Sequence, residues 1–311
     1  MRSEFEFIHN IKKRFSLEAI GDDCAVLPMN DEHDLVVTSD LLVQDVDFRL
    51  LWATPEQIGH KTLAVSLSDI AAMGGTPIWA MLSIAIPDDL WKTDFLDRFY
   101  TGWQDLAHKY GVKLVGGDIS RTPRDFVVDC TVAGSVPKGK ALLRNGAKPG
   151  DAIYVSGTLG GAAAGLELLE TDASNHNEVT SKQLEPQPQL ALAKLLINNN
   201  VASSCADISD GLLADLKHIC DASSCGAEIA AQDLPILPLI VETFGSDRAT
   251  DFALNGGEDF ELLFTVPEEK IFMLEYQPVT RIGTITANVD NIRLIRDGKT
   301  SIVTPKGYQH F

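Results

Sequence analysis

Aspartate recurs in what read as short turns beside apolar runs: Gly21-Asp22-Asp23, Thr38-Ser39-Asp40, Gly116-Gly117-Asp118 and Asp207-Ile208-Ser209-Asp210. A single turn aspartate is ordinarily a helix cap or a turn residue, and Asp210, ahead of Gly211-Leu212, fits a cap. Asp69 fits neither role. It lies within Leu63–Met73, a helical pattern that is apolar nearly all round, so it should be largely buried. A buried, unpaired carboxylate is costly and needs a cation, a hydrogen-bond cage or a proton. Carboxylates accompanied by Ser and Thr hydroxyls, with no His or Cys cluster, suit Mg²⁺ better than zinc. Gly256-Gly257-Glu258-Asp259-Phe260-Glu261 sets further acids at a strand end, where a solvated turn is the plainer reading.

Phosphate-binding signals accompany the acids. Ser156-Gly157-Thr158-Leu159-Gly160-Gly161 follows a strand pattern and opens a helical one, a geometry that can offer backbone N–H groups to an anion or serve only as a turn. Arg144 is a candidate phosphate clamp. The run from Gly134 to Ala141 approaches a P-loop but ends in alanine where a hydroxyl should hold Mg²⁺. There is no G-x-S-x-G elbow, no H-E-x-x-H and no protein-kinase motif set.

The elements that must position these residues follow from periodicity. Strands are expected at Leu35–Thr38, Ile78–Ile86, Lys113–Val115, Phe126–Val136, Ala152–Val155, Phe260–Val266 and Ile292–Ile295. Helices are expected at Pro55–Met73, Phe95–Tyr110, Ala162–Glu170 and Leu212–Ala222. Thr54-Pro55-Glu56-Gln57 is a capping-box start and Gly74-Gly75 a stop. The Lys-, Gly- and Pro-rich segment Pro137–Asp151 is the expected domain junction, and Thr171–Pro188 reads as a loop. Irregular alternation of strands and helices argues for an α+β class.

The 311 residues allow roughly two domains. With 44 acidic and 26 basic residues the formal charge is −18, which argues against nucleic acid or an anionic membrane as partner. A phosphate substrate then needs local Arg, Lys or divalent cations to reverse the sign. The five cysteines contain no C-x-x-C, which fits reduced thiols in a cytoplasmic protein. The N-terminus lacks an apolar signal region, and the longest apolar stretch, Ile78–Pro87, is too short to span a bilayer.

Taken in order, Gly21–Ala25, Thr38–Asp40, Leu63–Gly74, Gly116–Asp118, Arg144–Asp151, Asp207–Leu212 and Gly257–Leu262 resemble the motif series of thiamine-monophosphate kinases, across nearly the whole chain. That family belongs to the superfamily of aminoimidazole ribonucleotide synthetase. The resemblance implies an N-terminal α+β domain (residues 1–137) whose sheet pairs with that of a second subunit in a homodimer. It implies a C-terminal α/β domain (138–311) completing the nucleotide and substrate site. It implies transfer of a phosphoryl group from ATP to thiamine monophosphate, assisted by several Mg²⁺ ions. Asp23, Thr38, Ser39, Asp40, Asp69, Asp118, Asp207 and Asp210 would hold metal. Gly117, Asp118, Arg144 and Ser209 would touch ATP, and Asp47, Glu258 and Tyr308 would lie near the acceptor. Asp47 stands where the family has His, Ser66 where it has Asn and Tyr308 where it has Trp. Two rival readings remain open: another ATP-dependent synthetase of the superfamily acting on a ribonucleotide, and a non-catalytic metal- or nucleotide-binding protein.

Overall fold

A computed structural model describes residues 4–17, 19–175, 177–289 and 291–308. His176 and the terminal Gln309, His310 and Phe311 lie outside the described residues. The first half runs α1 (Glu4–Phe15), β1 (Ala25–Pro28), β2 (His33–Val43), α2 (Pro55–Ala72), β3 (Thr76–Pro87), α3 (Asp88–Trp91), α4 (Phe95–Tyr110), β4 (Lys113–Thr122) and β5 (Val127–Pro137). The second half runs β6 (Ala152–Ser156), α5 (Gly161–Thr171), α6 (Glu178–Leu184), α7 (Leu190–Asn198), β7 (Ser204–Asp207), α8 (Leu212–Ser223), β8 (Gly226–Ala230), α9 (Pro238–Phe244), α10 (Ser246–Asn255), β9 (Leu262–Val266), β10 (Val279–Thr286), β11 (Ile292–Arg296) and β12 (Lys299–Val303).

The fold is α+β, with one sheet in each half. The first is ordered β1-β2-β5-β3-β4 and the second β12-β11-β8-β10-β6-β9-β7. Within the second sheet the β8–β11 pair is parallel and the other pairs are antiparallel. Among the described residues no helix is long and apolar enough to cross a membrane.

Helix α2 is the element on which both halves converge. Its start is the expected capping box: Thr54 Oγ1 accepts from the Gln57 N–H, the Gln57 side chain accepts from the Thr54 N–H, and Pro55 opens the first turn. Gly74 ends it in the left-handed region, at φ +71°. One side of α2 covers β2 and β5, another crosses α4, and a third meets α6, α7 and β7 of the second half. The crossing with α4 is close because glycines sit in it. A Cβ on Gly59 would lie 2.0 Å from the Phe99 carbonyl oxygen, and one on Gly102 would lie 1.9 Å from that of Glu56. Behind the crossing Phe95 and Phe99 pack edge-on against Phe126.

Several expectations are corrected. Thr38-Ser39-Asp40 and Gly116-Gly117-Asp118 are not turns; β2 and β4 run on through them, held by ladders to β5 and β3. The supposed loop Thr171–Pro188 contains α6, whose cap is the Asn177 side chain accepting from the Val179 and Thr180 N–H groups. Strands β1, β7, β8, β10 and β12 and helix α7 carried no period strong enough to stand out.

Gly102→Ala should lower stability by about 1–3 kcal/mol through overpacking, despite the gain of about 1 kcal/mol in helix propensity. Chemical denaturation checks it. An unchanged or raised midpoint would show that the α2–α4 crossing can open at no cost.

Candidate active site

Strand alternation sorts the Thr38-Ser39-Asp40 motif. Val36, Thr38 and Leu42 are buried toward α2, Asp40 shares their parity and is half-buried, and Ser39 and Leu41 face the open side of the sheet. Ser39 Oγ there meets the Asp129 carboxylate at 2.9 Å and Thr131 Oγ1 at 2.9 Å. The Ser39 side chain therefore lies on the opposite face from Thr38 and Asp40.

Helix α2 brings its own polar stripe to those residues. Between Lys61 and Ala72 every residue but Asp69 is fully buried, and Asp69, largely buried as expected, keeps a small exposure toward the cleft. Thr38 Oγ1 donates to Asp69 Oδ2. Ser66 Oγ donates to Asp40 Oδ2 at 2.7 Å, and Ser68 Oγ to Asp207 Oδ2 at 2.6 Å. Asp207 ends β7, which is a sheet edge yet buried along its length because α2 lies against it.

Asp23, Asp69 and Asp207 each bring a carboxylate oxygen within 4.8 Å of the others. Arg144 pairs with Asp23 through Oδ1, its Nε lying at 3.1 Å, and its N–H donates to Asp22 Oδ1 at 2.8 Å. The other Asp23 oxygen, Oδ2, is buried and has no hydrogen-bond partner. Burial is the main cause that raises all these carboxyls: Asp207 to about 8, Asp40 to about 6, Asp69 well above the usual range and Asp23 upward despite Arg144. Repulsion adds to it, from Asp40, Asp207 and Asp23 on Asp69. An all-oxygen donor set with one buried orphan fits a hard divalent cation such as Mg²⁺.

Asp210 does not cap α8. Asp215, from inside the helix, accepts the N–H groups of Ser209, Asp210 and Gly211 on one oxygen at 3.1, 3.2 and 3.1 Å. The Ser156–Gly161 turn is not an open anion cradle either. Asp259 accepts from the N–H of Gly160 at 2.7 Å and of Ala162 at 3.2 Å, and burial pushes its carboxyl up to about 7. Glu261 is buried and accepts from Ser156 Oγ at 2.6 Å. The acids of 256–261 are thus no solvated turn. Glu258 alone among them lines a cavity.

That cavity, of about 370 Å³, lies between the halves. Asp40, Asp210 and Ser209 border it on the carboxylate side, and Phe48, Trp52, Val65, Leu166 and Phe260 give apolar wall. Asp47, Glu258 and Tyr308 all line it, as do Arg49 and Glu170, which pair across it at 3.7 Å. The tail reaches it through the Tyr308 N–H, which donates to the Asp210 carbonyl at 3.1 Å. Sequence reasoning missed Ser68, Lys61 and Gln183: the first two had as signal only their place on the helix that carries Asp69, and Gln183, on α6, had none.

Gly117 and Asp118 stand apart from the cluster. Asp40, Cys130, Leu82 and Gly117 form one row across β2, β5, β3 and β4. That row spans three strand spacings, about 14 Å.

This combination of fold and site defines the class. The family model for the N-terminal domain of AIR synthase related proteins matches residues 21–136, and that for their C-terminal domain matches residues 148–294. Within that class the chain is 40% identical to the thiamine-monophosphate kinase of Escherichia coli K12 over 94% of this chain and 91% of that one. It is 37% identical to that of Bacillus subtilis, over 99% of each. A solved structure described as AaThiL complexed with AMPPCP and TMP superposes with a TM-score of 0.89 at 34% identity, covering 99% of this chain and 97% of that one. The HypE–HypF complex, at 18% identity and a TM-score of 0.77, shares the fold. The chain belongs to the thiamine-monophosphate kinase family and is a phosphotransferase.

The raised carboxyls set a pH dependence. Unfolded aspartate titrates near about 3.9. From about pH 4 to about pH 8 the native cluster keeps protons that the unfolded chain releases, so stability falls as pH rises. In EDTA the melting temperature should drop between about pH 5.5 and about pH 8, and saturating Mg²⁺ should raise it more at the higher pH. A flat profile, with an equal Mg²⁺ effect at both ends, would count against a cation site here.

Proposed function

We propose that the protein transfers the γ-phosphoryl group of ATP directly to thiamine monophosphate, giving thiamine diphosphate and ADP, with several Mg²⁺ ions bound. The observation that carries this reading is the shared wall: Asp40, whose charge acts on Asp69 and Asp207 of the acidic cluster, also lines a cavity of about 370 Å³ with aromatic and acidic lining, and Asp210, grouped with Asp215 and His218, lines the same cavity. The relative whose complex contains AMPPCP and TMP supports it.

In this reading Asp23, Asp40, Asp69, Asp207 and Asp210, with Thr38, hold the metal. Bound Mg²⁺ would neutralise the two phosphates that a protein of charge −18 otherwise repels. Ser39 would contribute only through its main chain. Arg144 and Ser209 meet the phosphates of ATP, and Arg144 must first share its charge with Asp23. Gly117 and Asp118 serve the far part of the nucleotide or the site of a second subunit. Exposed Leu114, Val115 and Ile119 on β4, with exposed Met81 on the neighbouring β3, support pairing of that sheet in a homodimer. Glu258 and Asp47 face the cationic thiamine end, and Tyr308 offers a ring to it. The acceptor phosphate is largely ionised near neutral pH, so no side chain is needed as general base. In-line attack then depends on alignment and charge stabilisation.

ADP release that requires thiamine monophosphate tests the reading and separates a kinase from a nucleotide-binding protein. Asp69→Asn tests the mechanism. It should cut kcat by at least about 100-fold, while in EDTA it should leave the melting temperature equal or higher, because a neutral amide needs no proton to sit buried among carboxylates. A folded Asp69→Asn protein with near-normal turnover would remove Asp69 from the metal site.

A further inference from the structure

Lys61 is a buried cation to which the chemistry above assigns no task. It is 3% exposed on α2. Its ammonium lies 2.9 Å from Glu258 Oε1, and donates to Glu258 Oε2 at 3.0 Å and to the Asp47 carbonyl at 3.1 Å. An ammonium has three donors and no acceptor capacity, and two of the donors are used here, on Glu258 and on the Asp47 carbonyl. Both partners are cavity-lining residues, one from each half of the chain.

Each partner sits in a backbone that needs holding. Glu258 has φ +65°, in the left-handed region that non-glycine residues seldom occupy. Its N–H donates to the Ser209 carbonyl at 2.8 Å, and Gln183 Nε2 donates to its carboxylate at 2.5 Å. Asp47 closes a tight loop in which its carboxylate accepts the Val43 N–H at 2.7 Å and Asp45 has φ +65°.

Lys61, Val65 and Asp69 fall at i, i+4 and i+8 of α2, so one stripe of a single helix carries all three. Val65 lines the cavity and Asp69 belongs to the carboxylate cluster. Eight residues of helix separate the ends of the stripe by about 12 Å. A buried ion pair is weak evidence for stability, since an apolar residue of similar volume often does as well. A lysine here is better accounted for by what it holds.

We propose that Lys61 is a positioning residue for the acceptor: its ammonium locks Glu258 and the Asp47 loop so that the thiamine end is received at a set distance from the metal-binding carboxylates. The proposal rests on the acceptor reading given above. The test uses the full chain with Lys61→Met and Glu258→Gln, singly and together. Calorimetric titration with thiamine monophosphate is paired with initial rates varied in each substrate.

Lys61→Met should raise the Kd and KM for thiamine monophosphate by at least about tenfold, with the KM for ATP within about twofold. The double variant should bind the acceptor no more than about twofold worse than Glu258→Gln alone, because coupled residues are not additive. Unchanged acceptor affinity in Lys61→Met, equal rises in both KM values, or additive losses in the double variant would overturn the proposal. If Lys61→Met alone does not fold, the double variant against Glu258→Gln decides: equal affinity supports it, and a further loss of about tenfold overturns it. A wild-type protein that neither binds nor phosphorylates thiamine monophosphate overturns the acceptor reading, and this proposal with it.

Discussion

The constraint on which the structure turns is the repulsion of carboxylates held together where water is scarce. Asp23, Asp69 and Asp207 come from a loop, a helix and a strand end, and each sits where burial disfavours its charge. The fold answers with hydroxyls and one guanidinium. Thr38 serves Asp69, Ser66 serves Asp40, Ser68 serves Asp207 and Arg144 serves Asp23. One oxygen of Asp23 remains unsatisfied. A cluster so incompletely compensated would gain from a cation, which is why the proposed metal dependence is physically reasonable here.

Helix α2 is what makes this arrangement rigid. It is buried on nearly every side, between the first sheet, α4 and the edge strand β7. Covering β7 with a helix closes an exposed sheet edge and, in the same contact, sets Ser68 against Asp207. The two halves of the chain are therefore joined at the carboxylate cluster, and the cavity between them inherits a wall from each. Glycines at the α2–α4 crossing let the helix lie deep enough for this.

Other acids beside the site have structural duties. Asp215 gathers the N–H groups of 209–211 and so orients Ser209 and Asp210. Asp259 fills the helix start that could otherwise have bound an anion. Motif acids thus divide into those facing the cleft and those building the turns that aim them, and only the three-dimensional arrangement separates the two groups.

Much was legible in the residues themselves. The capping box at Thr54, the long helix it starts, the anomaly of Asp69 and the oxygen-only donor chemistry all depend on local sequence, because caps, helical period and ligand hardness are local properties. The ordered series of short motifs likewise pointed to the family. Strand alternation then separated Thr38 and Asp40 from Ser39, once the ladders to β1 and β5 had set the register. Sequence could not say that Gly117 lies across three strands from Asp40, nor that Asp259 occupies the glycine turn. It could not say that Lys61 reaches Glu258, 197 residues away. Those facts arise from packing one half of the chain on the other, where long-range contacts decide which charges meet and no local period records the outcome.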